Sequence, residues 1–290
     1  MVTSFRQSLI EQIEKFREKM LTLLERSDIG PSVNTENSSF VLIGPDRPWR
    51  ELSHESKSLQ TEIYNRYQYL LELGKAFITQ SLPEAKDRFD QEAKPILEMI
   101  EQKYLTWHKT IEEAKASFGN GLDKQVEVIN SVHGNLGIGR VLIPDTNVFI
   151  ANPNLHEYKI NEKCSILALP TILGELDKLK VEHRNENVRS KAETAIRNTK
   201  EYRRRGNLLD GVKITDRIIF YTVAIEPRFE GKPTWLDSNN KDDRFLASCF
   251  EVAAKFPDSD IAILTLDINM QNKADFASFP YLDPKEAKFF

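Results

Sequence analysis

The sequence predicts a mostly α-helical first half, followed by a second half of the α/β class in which a central parallel sheet is covered by helices. Three observations carry this expectation. Up to about residue 111, apolar residues recur at the three-to-four spacing that lines one face of a helix. Beyond the glycines of FGNG (118–121) and GNLGIG (134–139), short and wholly apolar runs alternate with helical patterns, as in a sheet buried on both faces. A length of 290 residues also fits two units of roughly 100–150 residues better than one. The glycine-rich breaks suit a boundary, giving a helical domain over 1–135 and an α/β domain over 140–290.

The first helix is read from Phe5, Leu9, Ile13, Phe16, Met20 and Leu23 and is expected to end near Ser27. Residues 28–48 are rich in Gly, Pro, Ser and Asn and read as a loop with a small strand at Phe40 to Ile43. A second helix is expected over about 50–79, with Leu59, Ile63, Tyr67, Leu70 and Phe77 as its stripe. A third starts after Ser81 as cap and Pro83, and carries Phe89, Ala93, Ile96, Ile100, Tyr104, Trp107 and Ile111, with a bend where Pro95 removes a backbone donor. These segments make a hairpin or small bundle, packed within the chain in the simplest reading, with a protein partner, a homo-oligomer contact or targeting as its further roles.

In the second half, VLIPD (141–145), ILALP (166–170), VKIT (212–215) and IAILTLD (261–267) read as buried parallel strands. Helices are expected at about 171–180, 185–205 and 241–255, the order of a helix-covered parallel sheet.

Composition narrows the function classes. Hydrophobic residues make up 40% and charged residues 29%, ordinary for a soluble chain with a core, and the net charge of −4 means that any polyanion contact is local. The N-terminus MVTSFRQSLIEQIEKF has no apolar core of a secretory signal and no run is long enough to span a membrane, so a cytoplasmic protein with no membrane partner is expected. Cys164 and Cys249 sit in apolar segments without metal-ligand spacing, and the five histidines form none either.

Chemistry is concentrated in four acids. In an open parallel sheet, ligands bind beyond the carboxyl ends of the strands, and Asp145 and Asp267 close the first and last strands there. Glu175 lies about one turn into the helix after ILALP, and Asp243 opens the helix in NNKDDRFLASCFEVA, so both can lean over the same crevice. Crowded carboxylates repel one another unless a cation stands between them, and hard cations such as Mg2+ or Mn2+ take oxygen ligands. Taken singly, each acid also reads as a turn residue, a solvated helix position or a cap.

PDTNVFI (144–150), LPTILGELDKLK (169–180), NNKDDRFLA (239–247) and ILTLDINMQNKA (263–274) resemble, in order, the signature segments of PIN-domain nucleases. The resemblance covers about half of the chain. It implies a three-layer α/β/α sandwich, hydrolysis of RNA with Mg2+ or Mn2+, and Asp145, Glu175, Asp243 and Asp267 as both catalytic and metal-binding acids. Asp242 is the alternative to Asp243 as ligand, or else the helix cap. Thr146, Asn147, Thr265 and Lys273 also match the pattern, the threonines as orienters of carboxylate or water and Lys273 as a phosphate contact. Related folds in DNA nucleases keep single-stranded or structured DNA open as substrate.

From Lys178 to Arg205 there are ten basic residues against four acids, a segment suited to a phosphate backbone, with Arg197 and the Arg203, Arg204, Arg205 run as its best part. Trp107 is expected in the core, and Trp235, in the loop before the Asp243 helix, is the tryptophan to test against substrate. The expected function is therefore a metal-dependent endoribonuclease, with a DNA nuclease or an RNA-binding regulatory module of weak activity as alternatives.

Overall fold

The computed structural model describes residues 4–33, 44–80, 83–133 and 139–290. The strand expected at Phe40 to Ile43, the Ser81 cap and most of GNLGIG fall outside these residues. The chain divides into two compact units, one of Leu9–Val132 and one of Met1–Ser8 with His133–Phe290.

The first of these runs through α1 (Phe5–Glu25) from Leu9 onward, β1 (Arg47–Pro48), α2 (His54–Phe77), α3 (Pro83–Glu101), β2 (Leu105–Thr106) and α4 (Ile111–Asn130). Its core forms around Phe16 of α1, which stacks on Tyr67 of α2 at 4.9 Å and meets Phe118 of α4 edge-on at 5.9 Å. The buried Tyr67 hydroxyl donates to Gln125 Oε1 (3.0 Å), whose amide nitrogen donates to the Phe89 carbonyl (3.1 Å), so the polar groups inside this core satisfy one another.

Two expectations fail here. The third apolar stripe does not continue to Ile111: α3 stops at Glu101, Gln102 takes a left-handed φ of 48°, and β2 pairs antiparallel with β1. Trp107 is accordingly 68% exposed and Tyr104 80%, because their spacing continues the helical period where the backbone no longer does. FGNG is no break either, since Phe118 to Gly121 lie inside α4. Gly121 is buried in α4 facing Ile96 of α3, where a Cβ would stand at an ordinary contact distance of 3.5 Å, so the helix forms despite a glycine cost of about 1 kcal/mol in propensity.

The second unit contains β3 (Arg140–Pro144), α5 (Thr146–Ala151), β4 (Cys164–Ala168), α6 (Pro170–Glu182), α7 (Glu186–Arg205), β5 (Val212–Lys213), β6 (Ile218–Thr222), α8 (Lys241–Lys255), β7 (Asp260–Leu264), α9 (Ile268–Phe276) and β8 (Tyr281–Leu282). They build a six-stranded sheet of order β5-β6-β4-β3-β7-β8, parallel except for β5 against β6. VKIT is thus a two-residue antiparallel edge strand, and the parallel neighbour of β4 is β6 (IIFYT), an apolar run that is not among the expected strands. Both Cys164 and Cys249 are buried and unpaired. A cluster of Phe5, Phe250 and Phe279, with centroids 4.6–5.5 Å apart, completes the core of this unit.

Connectivity locates the crevice. From β3 the chain steps outward to β4 and β6, then returns through α8 to β7 on the other side of β3. The segments leaving β3 and β7 therefore diverge, and a cleft opens beyond their carboxyl ends. Among the described residues no helix is long and apolar enough to cross a membrane.

Gly74 of α2 gives a direct check on the helical unit, since a Cβ there would collide with the ring of the buried Phe89. Gly74→Ala should lower stability by about 1–3 kcal/mol in urea titration, because the buried Phe89 ring would have to shift to admit the methyl; an unchanged or higher midpoint would contradict this packing of α2 on α3.

Candidate active site

The site starts from two adjacent strand ends. Pro144 and Leu264 are register partners in β3 and β7, and the Asp145 amide extends the ladder by donating to the Leu264 carbonyl at 2.9 Å. Asp145 caps α5, its Oδ1 accepting from the Val148 amide at 2.9 Å, while its Oδ2 accepts from the fully buried Thr265 hydroxyl. The same Thr265 oxygen accepts from the Asp267 amide at 3.0 Å, and Asp267 in turn caps α9 through the Asn269 amide at 2.8 Å. One hydroxyl thereby fixes the two strand-end acids relative to each other.

Asp145 is only 6% exposed, and loss of solvent pushes its carboxyl up from 3.8 to about 6. Hydrogen bonds from Thr265, Val148 and the Asn147 backbone hold it down, and the Asp267 charge adds to the rise. The Asn147 side chain is exposed.

The other acids join through side chains on successive helices. Thr146 donates to Glu175 Oε2 at 2.6 Å, and the other Glu175 oxygen pairs with Lys241 at 2.7 Å. Asp243, 7% exposed, accepts from the Asp237 amide at 3.1 Å and from Lys273 at 2.8 Å. Burial alone would lower the Lys273 ammonium, but the hydrogen bond to Asp243 and the charges of Asp242 and Asp243 raise it overall. Asp242 is half-buried and stands 3.4 Å from Lys273. Neither aspartate caps α8. Asn240 does, accepting from the Asp242 and Asp243 amides at 2.9 and 3.3 Å and from Lys273 at 3.2 Å.

Asp145, Thr265 and Asp267 thus form one hydrogen-bonded set, Thr146, Glu175 and Lys241 a second that joins α6 to α8, and Asp243 and Lys273 a third; Asp145 adjoins Thr146 in the chain and Lys241 shares the first turn of α8 with Asp243. Asn240, Asp237 and Lys241 were not anticipated. Asparagine just before a helical pattern is a readable cap signal, whereas nothing in the sequence pairs Lys241 with Glu175 across 66 positions.

The four arginines stand apart from this network. Arg197 and Arg203 to Arg205 are exposed, and Arg205 is engaged with the Lys213 carbonyl. The end of α7 lies near the carboxyl end of β6, where the Leu208 carbonyl accepts from the Thr222 amide at 3.0 Å. That is two strand spacings, roughly 10 Å, from β3.

Among the described residues no three His, Cys, Asp or Glu side chains form a ready-made cation cage. Lys241 and Lys273 neutralise Glu175 and Asp243 instead.

Residues 142–284 match the family model of the PIN domain, and this half of the chain belongs to that family. PIN domains are generally nucleases, hydrolases of phosphodiester bonds, and the matched span holds all four acids. A search of curated proteins finds no match to the chain.

The buried carboxylate carries a stability consequence. A carboxyl with a raised folded-state pKa binds more protons folded than unfolded, so its contribution to stability falls as pH rises from about 4 through about 6. In chelator, Asp145→Asn, which retains a capping side chain, should raise stability at pH 7 by about 1–3 kcal/mol, the gain shrinking toward pH 4. Thermal melts of both proteins across that range read it; a loss at pH 7 would contradict the desolvation argument.

Proposed function

We propose that the chain is a metal-dependent endoribonuclease, with Asp145, Glu175, Asp243 and Asp267 as the acids that hold a divalent cation. The observation that carries this reading is the Thr265 bridge between Asp145 and Asp267, two acids at the mouth of the β3/β7 crevice.

The donor set suits a hard cation such as Mg2+ or Mn2+. Carboxylate and hydroxyl oxygens line the crevice, and Asp145 and Asp267 are close enough for the charge of one to disfavour ionisation of the other. A bound cation would supply an acidified water and charge neutralisation on a phosphodiester. Thr265 keeps the strand-end acids in register, and Thr146 aims Glu175. Asp243 is oriented by the Asp237 amide and shielded from solvent. Lys241 and Lys273 have to let go of their acids for all four to act together, and once released they are free to meet phosphate. Hydrolysis by water requires no covalent intermediate on the protein.

Labelled RNA and single-stranded DNA of one sequence, digested side by side with Mg2+, Mn2+ or chelator, provide the test. Cleavage of RNA should require the metal and fall by about 100-fold or more in Asp145→Asn and in Asp267→Asn. Full cleavage by both variants would sink the assignment, and a preference for DNA would change the substrate while keeping the site. Tight RNA binding without turnover under any divalent ion would favour the RNA-binding module, a reading to which the lysine-paired acids lend some support.

We also assign phosphate contacts to Arg197, Arg203, Arg204 and Arg205, on the strength of their exposure and of the basic excess in α7. Each arginine that neutralises a phosphate should reduce the slope of log affinity against log salt by about 0.7–1 when changed to alanine. An unaltered slope in Arg203→Ala/Arg204→Ala would remove this end of α7 from the interface.

A further inference from the structure

Among the described residues, α9 presents a face of which the acids engage only the Lys273 side chain. Asn269, Asn272, Lys273 and Phe276 follow one another at i, i+3, i+4 and i+7, the spacing of a single helical face. Lys273 fixes where that face points, because its ammonium reaches Asp243 and Asn240. Phe276, one turn further on, is 55% exposed and meets the half-buried Trp235 edge-to-face, with centroids 4.9 Å apart and planes at 74°. Trp235 belongs to the loop between β6 and α8, and two residues later in that loop the Asp237 amide donates to Asp243. The aromatic pair and the acid network therefore share one side of the unit. From Asp267, the cap of α9, to Phe276 the helix rises about 13 Å.

The loop that brings Trp235 here is held at a defined place. It spans residues 223–240, longer than ordinary connections in compact domains, and long irregular loops of this kind are often binding loops. Lys232 within it makes an ion pair of 2.9 Å with Glu251 of α8, with both side chains almost wholly buried. Single exposed apolar residues are commonplace on proteins. A phenylalanine backed by an anchored tryptophan, on the face that carries two asparagines and a lysine toward a cluster of acids, has a more specific chemistry. Aromatic faces stack on nucleobases, amide side chains both donate to and accept from base edges, and an ammonium meets phosphate. In a duplex the base faces are hidden in the stack, so only an unpaired strand offers them.

We propose that this face of α9, with Trp235 beside it, binds an unpaired stretch of nucleic acid, Phe276 stacking on a nucleobase while Asn269 and Asn272 contact neighbouring base edges or backbone. The inference rests on the nuclease reading for the position of the reacting phosphate, and what it adds is the set of residues that would hold the strand beside it.

Fluorescence anisotropy on the full chain tests it, in an Asp145→Asn background with Mg2+ so that the strand survives, using a labelled single-stranded RNA, the DNA of the same sequence and the corresponding duplex. Phe276→Ala should weaken single-strand binding by about 5- to 100-fold, the range of one lost stacking contact, while Phe276→Tyr retains it and duplex binding does not change. Melting curves of each variant confirm that this exposed position leaves the fold intact. Equal single-strand affinity with and without Phe276, an equal loss on duplex, or no binding by the parent chain overturns the inference. Phe276-dependent binding by a wild-type chain that cleaves nothing would retain it and overturn the nuclease reading. Cleavage combined with Phe276-independent binding would do the reverse.

Discussion

The hydroxyl of Thr265 is the small group on which the site depends. It is fully buried between two parallel strands, donates to the carboxylate of Asp145 and accepts from the amide of Asp267. A carboxylate with little access to water needs such donors, since desolvation alone disfavours its charge. The side chain that keeps Asp145 anionic also sets its spacing from Asp267. Sheet register supplies the rest, because Pro144 lies opposite Leu264 and delivers both acids to the same mouth.

From that point the network closes through helix starts. Asp145 and Asp267 cap α5 and α9, Asp243 lies in the first turn of α8, and Glu175 lies early in α6. The dipoles at the N-termini of α8 and α9 favour nearby negative charge, so the scaffold itself offsets part of the repulsion among the acids. Lys241 and Lys273 offset more, each standing on a helix that also carries or adjoins one of the acids. The two lysines also decide how open the site is, because every carboxylate oxygen they hold is one less for another partner. Hydrogen bonds join Thr265 to Asp145, Thr146 to Glu175 and Lys241, and Asp243 to Lys273, and these groups are linked by chain neighbours: Asp145 precedes Thr146, Lys241 and Asp243 share the first turn of α8, and Lys273 stands on the helix that Asp267 caps.

Where the sequence could be read and where it could not follows from the range of the forces involved. Wholly apolar runs identify β3, β4 and β7 because strands buried on both faces have no polar side to disguise them. β5 is two residues long and shows no such signature, whereas the IIFY run of β6 is legible although its residues alternate between buried and exposed in the sheet. In the helical unit the period persisted past the end of α3, and a glycine pair that looked like a break lies inside α4. Both errors have one origin: hydrophobic spacing and glycine content record what a residue prefers, whereas the turn at Gln102 and the fit of Gly121 against Ile96 depend on a neighbouring element.

By itself, the sequence determined the helical first half and the sheet-and-helix second half, because local period is written in neighbouring residues, and it nominated the four acids through strand-end position and the family resemblance of their segments. Only the tertiary structure decided that Thr265 ties Asp145 to Asp267, that Asn240 rather than an aspartate caps α8, that Asp243 is more buried than Asp242, and that two lysines occupy the acids. These are contacts between residues as far as 120 positions apart, and no short stretch of sequence encodes the sheet order and helix directions that bring them together.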